Sequence, residues 1–410
     1  MSDASQSETT EENASSDLPK VPRSDDRKDA ELWTLGALEV AAAVSRGEAG
    51  AVEILDAHLG RIAEVNPSIN AVTNVLADSA REAAEETDRR RARGEPLCPL
   101  AGVPFTVKEN IDVAGSATTH GVPAFRDAVA SVDAPVVGRL RRAGAIPIGR
   151  ANMPDLTLRG MHTKRQLFGD TLNPWDPDLT PGGSSGGDAV AVAPGMAALG
   201  VGNDSGGSLR IPAAFCGIAG LKPGFERYPS DHRIGGRDPS LSSQLFPVDG
   251  PMARSIADLR TVHEILAGAY PRDPRAPPVP PFGSPLPAPI RVAVVANPGG
   301  LGVHPDVQTA VETAAAVLEE AGYVVEDVDD VPRLEEALDA YGRMILTEVS
   351  LRACGNRGHA SACKAGTGCS IIRGVAEASQ RRSVSPCPRS DRTSSSPSGS
   401  SSAPCYRKGK

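Results

Sequence analysis

The chain has 410 residues, of which 40% are hydrophobic, enough for a large buried core. It carries 43 basic and 51 acidic side chains, for a formal net charge of −8, and only 3% of its residues are aromatic. This charge balance argues against nucleic acid or an anionic membrane as a partner, and the low aromatic content argues against base stacking.

The leader and the cysteines set further limits. Residues 1–30 are acidic, rich in serine and nearly free of large apolar side chains, which predicts a disordered leader. They hold no apolar run of the kind that a signal peptide needs, and the rest of the chain has no apolar stretch of membrane length, so we predict a cytoplasmic protein. The seven cysteines show no C-x-x-C spacing, which argues against a zinc site or a disulfide scaffold.

The first ordered part predicts helices and then alternating helices and strands. Apolar residues at helical spacing from Ala51 to Val65, followed by a run of strong helix formers, predict two or three N-terminal helices. The β-branched and aromatic residues of "GVPFTVKENIDV" predict a strand that ends near Lys108. The stretch "APVVGRLRRAGAIPIGRAN" predicts a helix that runs into a short apolar strand.

The second part continues this alternation. "GGDAVAVAPG" predicts a short helix with Asp188 in its first turn, ended early by Pro194, and "MAALGVGND" predicts a buried strand. Beyond a proline-rich extended segment, "IRVAVVANPGG" and the following residues predict strand, helix and strand. Strand–helix–strand alternation implies parallel pairing, hence an α/β sheet covered by helices.

After about Arg352 the periodicity disappears and Cys, Ser, Arg and Pro become frequent together. Residues 353–410 are therefore predicted to be an unpatterned tail. Two origins stay open: a natural disordered tail, or a frame-shifted translation that replaces the original C-terminus.

Two glycine-wrapped serine clusters, 182–187 and 205–208, are the candidates for chemistry. The first matches no P-loop, because the required lysine is missing, and its G-x-S-x-G match lacks the apolar strand that a nucleophile elbow needs. The second follows a predicted strand, and its successive glycines can expose backbone N–H groups, as an oxyanion hole requires. A nucleophile is therefore expected in the second cluster, with the first nearby.

A serine nucleophile needs a base to take its proton. His120 and His162 are two candidates that could reach a cleft, although loop histidines are common. Lys108 is the third, at the end of a predicted strand where α/β sites form, and it can act as a base only if burial lowers its pKa. The residues alone do not decide which of these three side chains is the base.

The blocks "VPFTVKEN", "GRANMPD", "FGDTLNPWD" and "TPGGSSGGDAVAVAPGMAALGVGNDSGGSLRIPAAFCGIAGLKP" together resemble the amidase signature family of serine hydrolases. The resemblance extends more weakly from about Leu32 to about Ser350. It implies a single large domain over residues 31–352 with a central mixed, largely parallel β-sheet covered by helices. Family members continue past Ser350 with ordered structure, so the resemblance also implies that the C-terminal part is incomplete here.

The resemblance implies a role for each matching residue. Ser208 would be the nucleophile, Ser184, after a cis peptide bond from Gly183, would relay its proton, and Lys108 would be the final base. The backbone N–H groups of the second cluster would form the oxyanion hole, with further residues supporting the site. The hole would be lined by Ser205, Gly206, Gly207 and Ser208, and the supporting residues are Ser185, Asp204 and Arg210, of which the last two resemble a structural ion pair.

The expected reaction is hydrolysis of a small-molecule carboxylic amide to an acid and ammonia or an amine through a seryl acyl-enzyme. The resemblance implies no metal or organic cofactor. Three alternatives stay open: the amidase subunit of an aminoacyl-tRNA amidotransferase, an inactive or vestigial amidase, and a nucleotide-binding module. No nucleic acid is expected unless the chain is an amidotransferase subunit, no membrane partner is expected, and a homodimer is left open.

Overall fold

The computed structural model describes residues 31–157, 161–231, 241–329 and 331–355. The predicted leader, residues 1–30, and the part of the predicted tail after residue 355 lie outside these ranges. The chain divides into two compact units. The first comprises the described residues of Met1–Ala296 and Val303–Val328, and the second comprises Asn297–Gly302 and the described residues from 329 onward.

Three helices open the first unit, as predicted: α1 (Ala37–Arg46), α2 (Ala51–Ile69) and α3 (Ala77–Ala92). The first two begin after glycines whose backbone N–H groups donate to glutamates three residues later, Gly36 to Glu39 at 2.8 Å and Gly50 to Glu53 at 2.7 Å. Each contact satisfies a backbone donor beside the start of the helix.

A six-stranded mixed sheet forms the centre of this unit, in the order β1-β3-β2-β4-β6-β5. The neighbours β3, β2 and β4 run parallel, whereas β1, β6 and β5 pair antiparallel with their neighbours. The strands are β1 (Val72–Val75), β2 (Pro104–Lys108), β3 (Ile146–Ala151), β4 (Leu199–Asp204), β5 (Ala219–Gly220) and β6 (Val248–Ala253). The predicted strand end at Lys108 is confirmed.

Five helices follow in the same unit: α4 (Pro135–Arg142), α5 (Gly186–Val192), α6 (Arg210–Cys216), α7 (Leu241–Leu245) and α8 (Ile256–Leu266). Every residue of α5 is buried, and the helix ends two residues before Pro194, as predicted. Because α5 packs against β2, β4 and β6, it brings the first serine cluster to the middle of the sheet.

The predicted strand–helix–strand unit is confirmed as β7 (Arg291–Val294), α9 (Pro305–Glu320) and β8 (Val324–Asp327), with β7 and β8 parallel. The proline-rich segment before it holds neither helix nor strand beyond an isolated bridge between Tyr270 and Asp273. In the second unit, α10 spans Leu334–Gly355, so the helix continues three residues into the predicted unpatterned tail. None of the helices in the described ranges is both long enough and apolar enough to cross a membrane.

Candidate active site

The candidate site lies where two neighbouring parallel strands end. Strands β2 and β4 pair in register, Phe105 with Leu199 and Val107 with Val201, so their carboxyl ends lie side by side. Lys108 is the last residue of β2, and Asn203 is the penultimate residue of β4. The carboxyl edge of parallel strands is where α/β proteins build their sites.

Lys108 is fully buried, and its Nζ contacts oxygens of the first serine cluster and of Asn203 in β4. It lies 2.7 Å from Ser184 Oγ, 2.9 Å from Ser185 Oγ, 2.8 Å from Asn203 Oδ1 and 3.5 Å from the Asn203 carbonyl oxygen. Burial lowers the pKa of Lys108 to about 7, against the opposing effect of nearby carboxylates, first that of Asp188. A substantial fraction of the lysine is therefore neutral near pH 7.

The hydrogen bonds around Nζ suit a neutral amine. Such an amine has two N–H donors and one lone pair, so it can donate to Ser185 and Asn203 while its lone pair accepts from the Ser184 hydroxyl. The Ser185 hydroxyl in turn donates to the Asn203 carbonyl at 3.2 Å. In this arrangement the lone pair of a neutral Lys108 would face the Ser184 hydroxyl.

The first serine cluster is held rigidly by close packing. The peptide bond between Gly183 and Ser184 is cis, as the resemblance implied, and both serines of the cluster are buried. A Cβ on Gly187 would overlap the backbone of Asn152, and one on Gly186 would overlap Thr163. The glycines are therefore required by the approach of neighbouring segments, and the cluster is not a flexible linker.

The second cluster is a turn organised by Asp204. Its carboxylate accepts from the N–H groups of Gly207 at 2.6 Å and Leu209 at 3.1 Å, and from Arg210 Nε at 2.9 Å and Nη2 at 3.1 Å. Burial raises the pKa of Asp204, but the hydrogen bonds from Arg210 and these N–H groups outweigh it, and the net shift is downward. The predicted ion pair between Asp204 and Arg210 is therefore present.

Free backbone donors remain in this turn. Within the described ranges, the N–H groups of Ser205, Gly206 and Ser208 have no acceptor, whereas the N–H of Gly207 already donates to Asp204. Ser208 is partly exposed, and its carbonyl oxygen accepts from the N–H of Ser185 at 3.2 Å, which joins the two clusters.

The two histidine candidates lie elsewhere in the hydrogen-bond network. Neither donates to nor accepts from the hydroxyls of Ser184 or Ser208 in the described structure. His120 packs edge-on against Phe125, and burial lowers its pKa to about 4. His162 Nδ1 accepts from the N–H of Lys164. Of the three candidate bases, Lys108 is the one beside a cluster serine.

Sequence reasoning missed several side chains of this site. Asn203 orients Lys108 and pairs with Asn110, donating to Oδ1 at 3.1 Å and accepting from Nδ2 at 3.4 Å. Asp188, expected only as a favourable charge at a helix start, is fully buried and accepts from Thr106 at 3.1 Å. Thr106 could have been found, because it lies two residues before Lys108 and so on the same face of β2.

Fold and site together define an α/β protein with a buried lysine–serine centre beside a glycine turn that carries a second serine. Comparison with known proteins identifies the family: residues 53–386 match the amidase family. The chain belongs to this family, the amidase signature family of the sequence analysis, and the predicted fold class is confirmed by solved structures that share it.

Individual relatives give the extent of the similarity. The chain is 43% identical over 317 residues to an indoleacetamide hydrolase of Bradyrhizobium diazoefficiens, covering 77% of this chain and 60% of that protein. It is also 43% identical over 310 residues to the A-type subunit of the glutamyl-tRNA(Gln) amidotransferase of Symbiobacterium thermophilum, covering 74% and 62%. The chain thus spans about three fifths of the length of these curated relatives.

Solved structures show a similar extent of similarity. A bacterial aryl acylamidase of the amidase signature family superposes with a TM-score of 0.68 at 29% identity, covering 79% of this chain and 68% of that one. The peptide amidase of Stenotrophomonas maltophilia gives a TM-score of 0.66 at 30% identity, covering 76% and 65%.

Proposed function

We propose that the protein hydrolyses a carboxylic amide through a seryl acyl-enzyme, with Ser208 as nucleophile, Ser184 as proton relay and Lys108 as base. The observation that carries this proposal is the 2.7 Å contact between the Ser184 hydroxyl and the Nζ of a fully buried lysine whose pKa burial lowers to about 7. A lysine of ordinary pKa would hold its proton and could not serve as a base.

The proposed acylation moves one proton along this path. Ser208 Oγ attacks the amide carbonyl carbon while its proton passes to Ser184 Oγ, and the Ser184 proton passes to Lys108 Nζ. The oxyanion accepts from the free N–H groups of Ser205, Gly206 and Ser208, and one such donor is worth about 3 kcal/mol to a transition state. The proton then returns through Ser184 to the leaving nitrogen as the C–N bond breaks.

Deacylation repeats the path with water. The lysine, neutral again once the amine has left, takes a proton from the attacking water through Ser184, and the acid is released as Ser208 recovers its proton. Ser185, Asp204 and Arg210 support the site: Ser185 and Asn203 orient the lysine, and the Asp204–Arg210 pair shapes the turn that carries the nucleophile.

Two relatives support proposals for the substrate class. Similarity to an indoleacetamide hydrolase favours a primary amide, with indoleacetamide as the first compound to try. Similarity to A-type amidotransferase subunits favours a second candidate, in which the chain releases ammonia from glutamine for a partner protein. Ammonia release from glutamine that needs the other subunits of such a complex, with no turnover of other amides, would favour this second candidate.

Two variants test the chemistry. A fluorophosphonate probe should label the parent at Ser208 and should leave Ser208→Ala unlabelled, and ammonia release from an amide panel should disappear with the label. Lys108→Met should slow labelling by about 10²- to 10⁴-fold, the usual contribution of a general base. Its matched control is Lys164→Met, an exposed lysine. If the parent protein is folded but is not labelled at any pH, the result would support the alternative that the chain is an inactive, vestigial amidase.

We propose that residues 31–352 form the amidase domain, between a leader over 1–30 and a tail over 353–410, and that the protein works in the cytoplasm. Whether it forms a homodimer is decided by measuring its mass in solution.

A further inference from the structure

Asp188 is a buried carboxylic acid that the proposed mechanism does not use. It lies in the fully buried helix α5, four residues after Ser184. One carboxyl oxygen, Oδ1, accepts from Thr106 Oγ1 at 3.1 Å, and Oδ2 makes no hydrogen bond to any residue that the structure describes. Because Thr106 and Lys108 share one face of β2, Asp188 lies on the lysine side of the sheet.

Few other charged groups of the described structure face Lys108 and Asp188. Strand β3 supplies buried Arg150, whose Nη2 donates to the Lys108 carbonyl at 3.3 Å. Strands β4 and β6 supply Asp204 and Asp249, and α6 supplies Arg210, which is paired with Asp204. The first strand, β1, has no charged residue.

Helix α2 also packs against β2. Its buried His58 has a pKa lowered to about 4 by burial and is neutral, and its Arg61 donates to the Pro194 carbonyl. Neither adds a charge that acts on Lys108 or Asp188.

A single charge buried here is costly, whereas two opposite charges, or none, are tolerated. Burial lowers the pKa of Lys108 and raises that of Asp188, each to about 7, and the charge of each partner opposes the shift of the other. Oδ2 of Asp188 is the open position at which a proton can be held. The two groups therefore titrate as one coupled unit.

We propose that Asp188 is a positioning residue that sets the pH range over which Lys108 becomes a neutral base, because the proton that the pair holds can lie on either Lys108 or Asp188. One proton leaves Lys108 Nζ to water and one proton from water binds Asp188 Oδ2, so the pair keeps one proton and no net charge. The inference rests on the proposed role of Lys108 and adds the residue that controls its protonation.

The first test is the pH dependence of fluorophosphonate labelling in the full chain. The labelling rate of the parent should rise with pH in two steps separated by a plateau. Asp188→Asn, which keeps the shape of the side chain but cannot ionise, should rise in one step and reach its maximum about one pH unit or more below the upper step of the parent. Asp249→Asn, which removes an equal charge from β6, should keep both steps. Two steps in Asp188→Asn, or an unchanged maximum, would overturn the inference.

The second test needs no activity. At pH 7 the infrared spectrum of the parent should contain the C=O stretch of a protonated carboxylic acid that is absent from Asp188→Asn. If Asp188→Asn does not fold, Thr106→Val replaces it: loss of the hydroxyl that stabilises the carboxylate should strengthen this band, whereas Thr106→Ser should leave it unchanged. A parent without the band, or a Thr106→Val variant that does not strengthen it, would overturn the inference. Failure of all labelling would contradict the proposed function, and the infrared result would still decide the role of Asp188.

Discussion

Asn203→Asp is the sharpest test of the idea that Lys108 acts as a neutral base. The Asn203 Oδ1 lies 2.8 Å from Lys108 Nζ, and the side chain is buried. The substitution keeps the size and shape of the side chain and adds one negative charge beside the amine. An added carboxylate favours the ammonium form, so the base becomes available only at higher pH.

The size of the effect follows from the distance. Two unit charges 2.8 Å apart, at an effective dielectric constant of about 20, attract by about 6 kcal/mol, before the cost of burying the new carboxylate is subtracted. Opposite charges at such distances shift a pKa by about one to three units in practice. With the pKa of Lys108 at about 7 in the parent, the neutral fraction at pH 7 falls about 5- to 500-fold.

The assay is the rate of fluorophosphonate labelling from pH 6 to pH 10. We expect Asn203→Asp to label slowly at pH 7, with the rise moved to higher pH and the parent rate recovered near its upper end. Asn110→Asp is the matched control, because Asn110 contacts Asn203 and not Nζ, and it should shift the rise by less. A folded Asn203→Asp that labels with the parent profile would refute the assignment of Lys108 as the base.

Three further variants test the proton relay, the turn and the packing. Ser184→Ala removes the relay and should slow labelling by about 10²- to 10⁴-fold with little change in thermal stability; equal labelling of parent and variant would exclude a relay. Arg210→Leu should slow labelling about tenfold, because the turn loses the partner of Asp204. It should change the free energy of unfolding in urea by no more than about 1 kcal/mol, because the guanidinium is more than half exposed. Gly187→Ala should destabilise the fold by about 1–3 kcal/mol or more in urea, because the added Cβ has no space. The control Gly60→Ala, whose Cβ would meet nothing within 4 Å, should not destabilise the fold. Equal stabilities of the two variants would contradict the packing argument.

Much of the fold was predictable from local pattern. The helical spacing after Ala51, the strand that ends at Lys108 and the early end of α5 before Pro194 all agree with the structure. Each depends on neighbours along the chain, through side-chain periodicity or through the backbone limits of proline.

The environment of the site was less accessible to sequence reasoning. The roles of Asn203 and Asp188 depend on contacts between segments 82 or more residues apart, as between Thr106 and Asp188, and on the loss of water around them. The spacing of residues along the chain encodes neither these contacts nor the loss of water. The sequence also predicts that the Gly207 N–H group lines the oxyanion hole, but in the structure this group donates a hydrogen bond to the Asp204 carboxylate.

The sequence by itself determined which residue types stand where: two glycine-wrapped serine clusters, a lysine at a strand end, and an alternation of helices and strands that predicts an α/β sheet. It left three candidate bases open, since a lysine is a base only when its pKa is low. The tertiary structure decided the environment of Lys108: it encloses the side chain completely, 2.7 Å from Ser184 Oγ and away from the water that would stabilise its charge. Burial, a property of the assembled sheet and helices, makes the neutral amine accessible near pH 7.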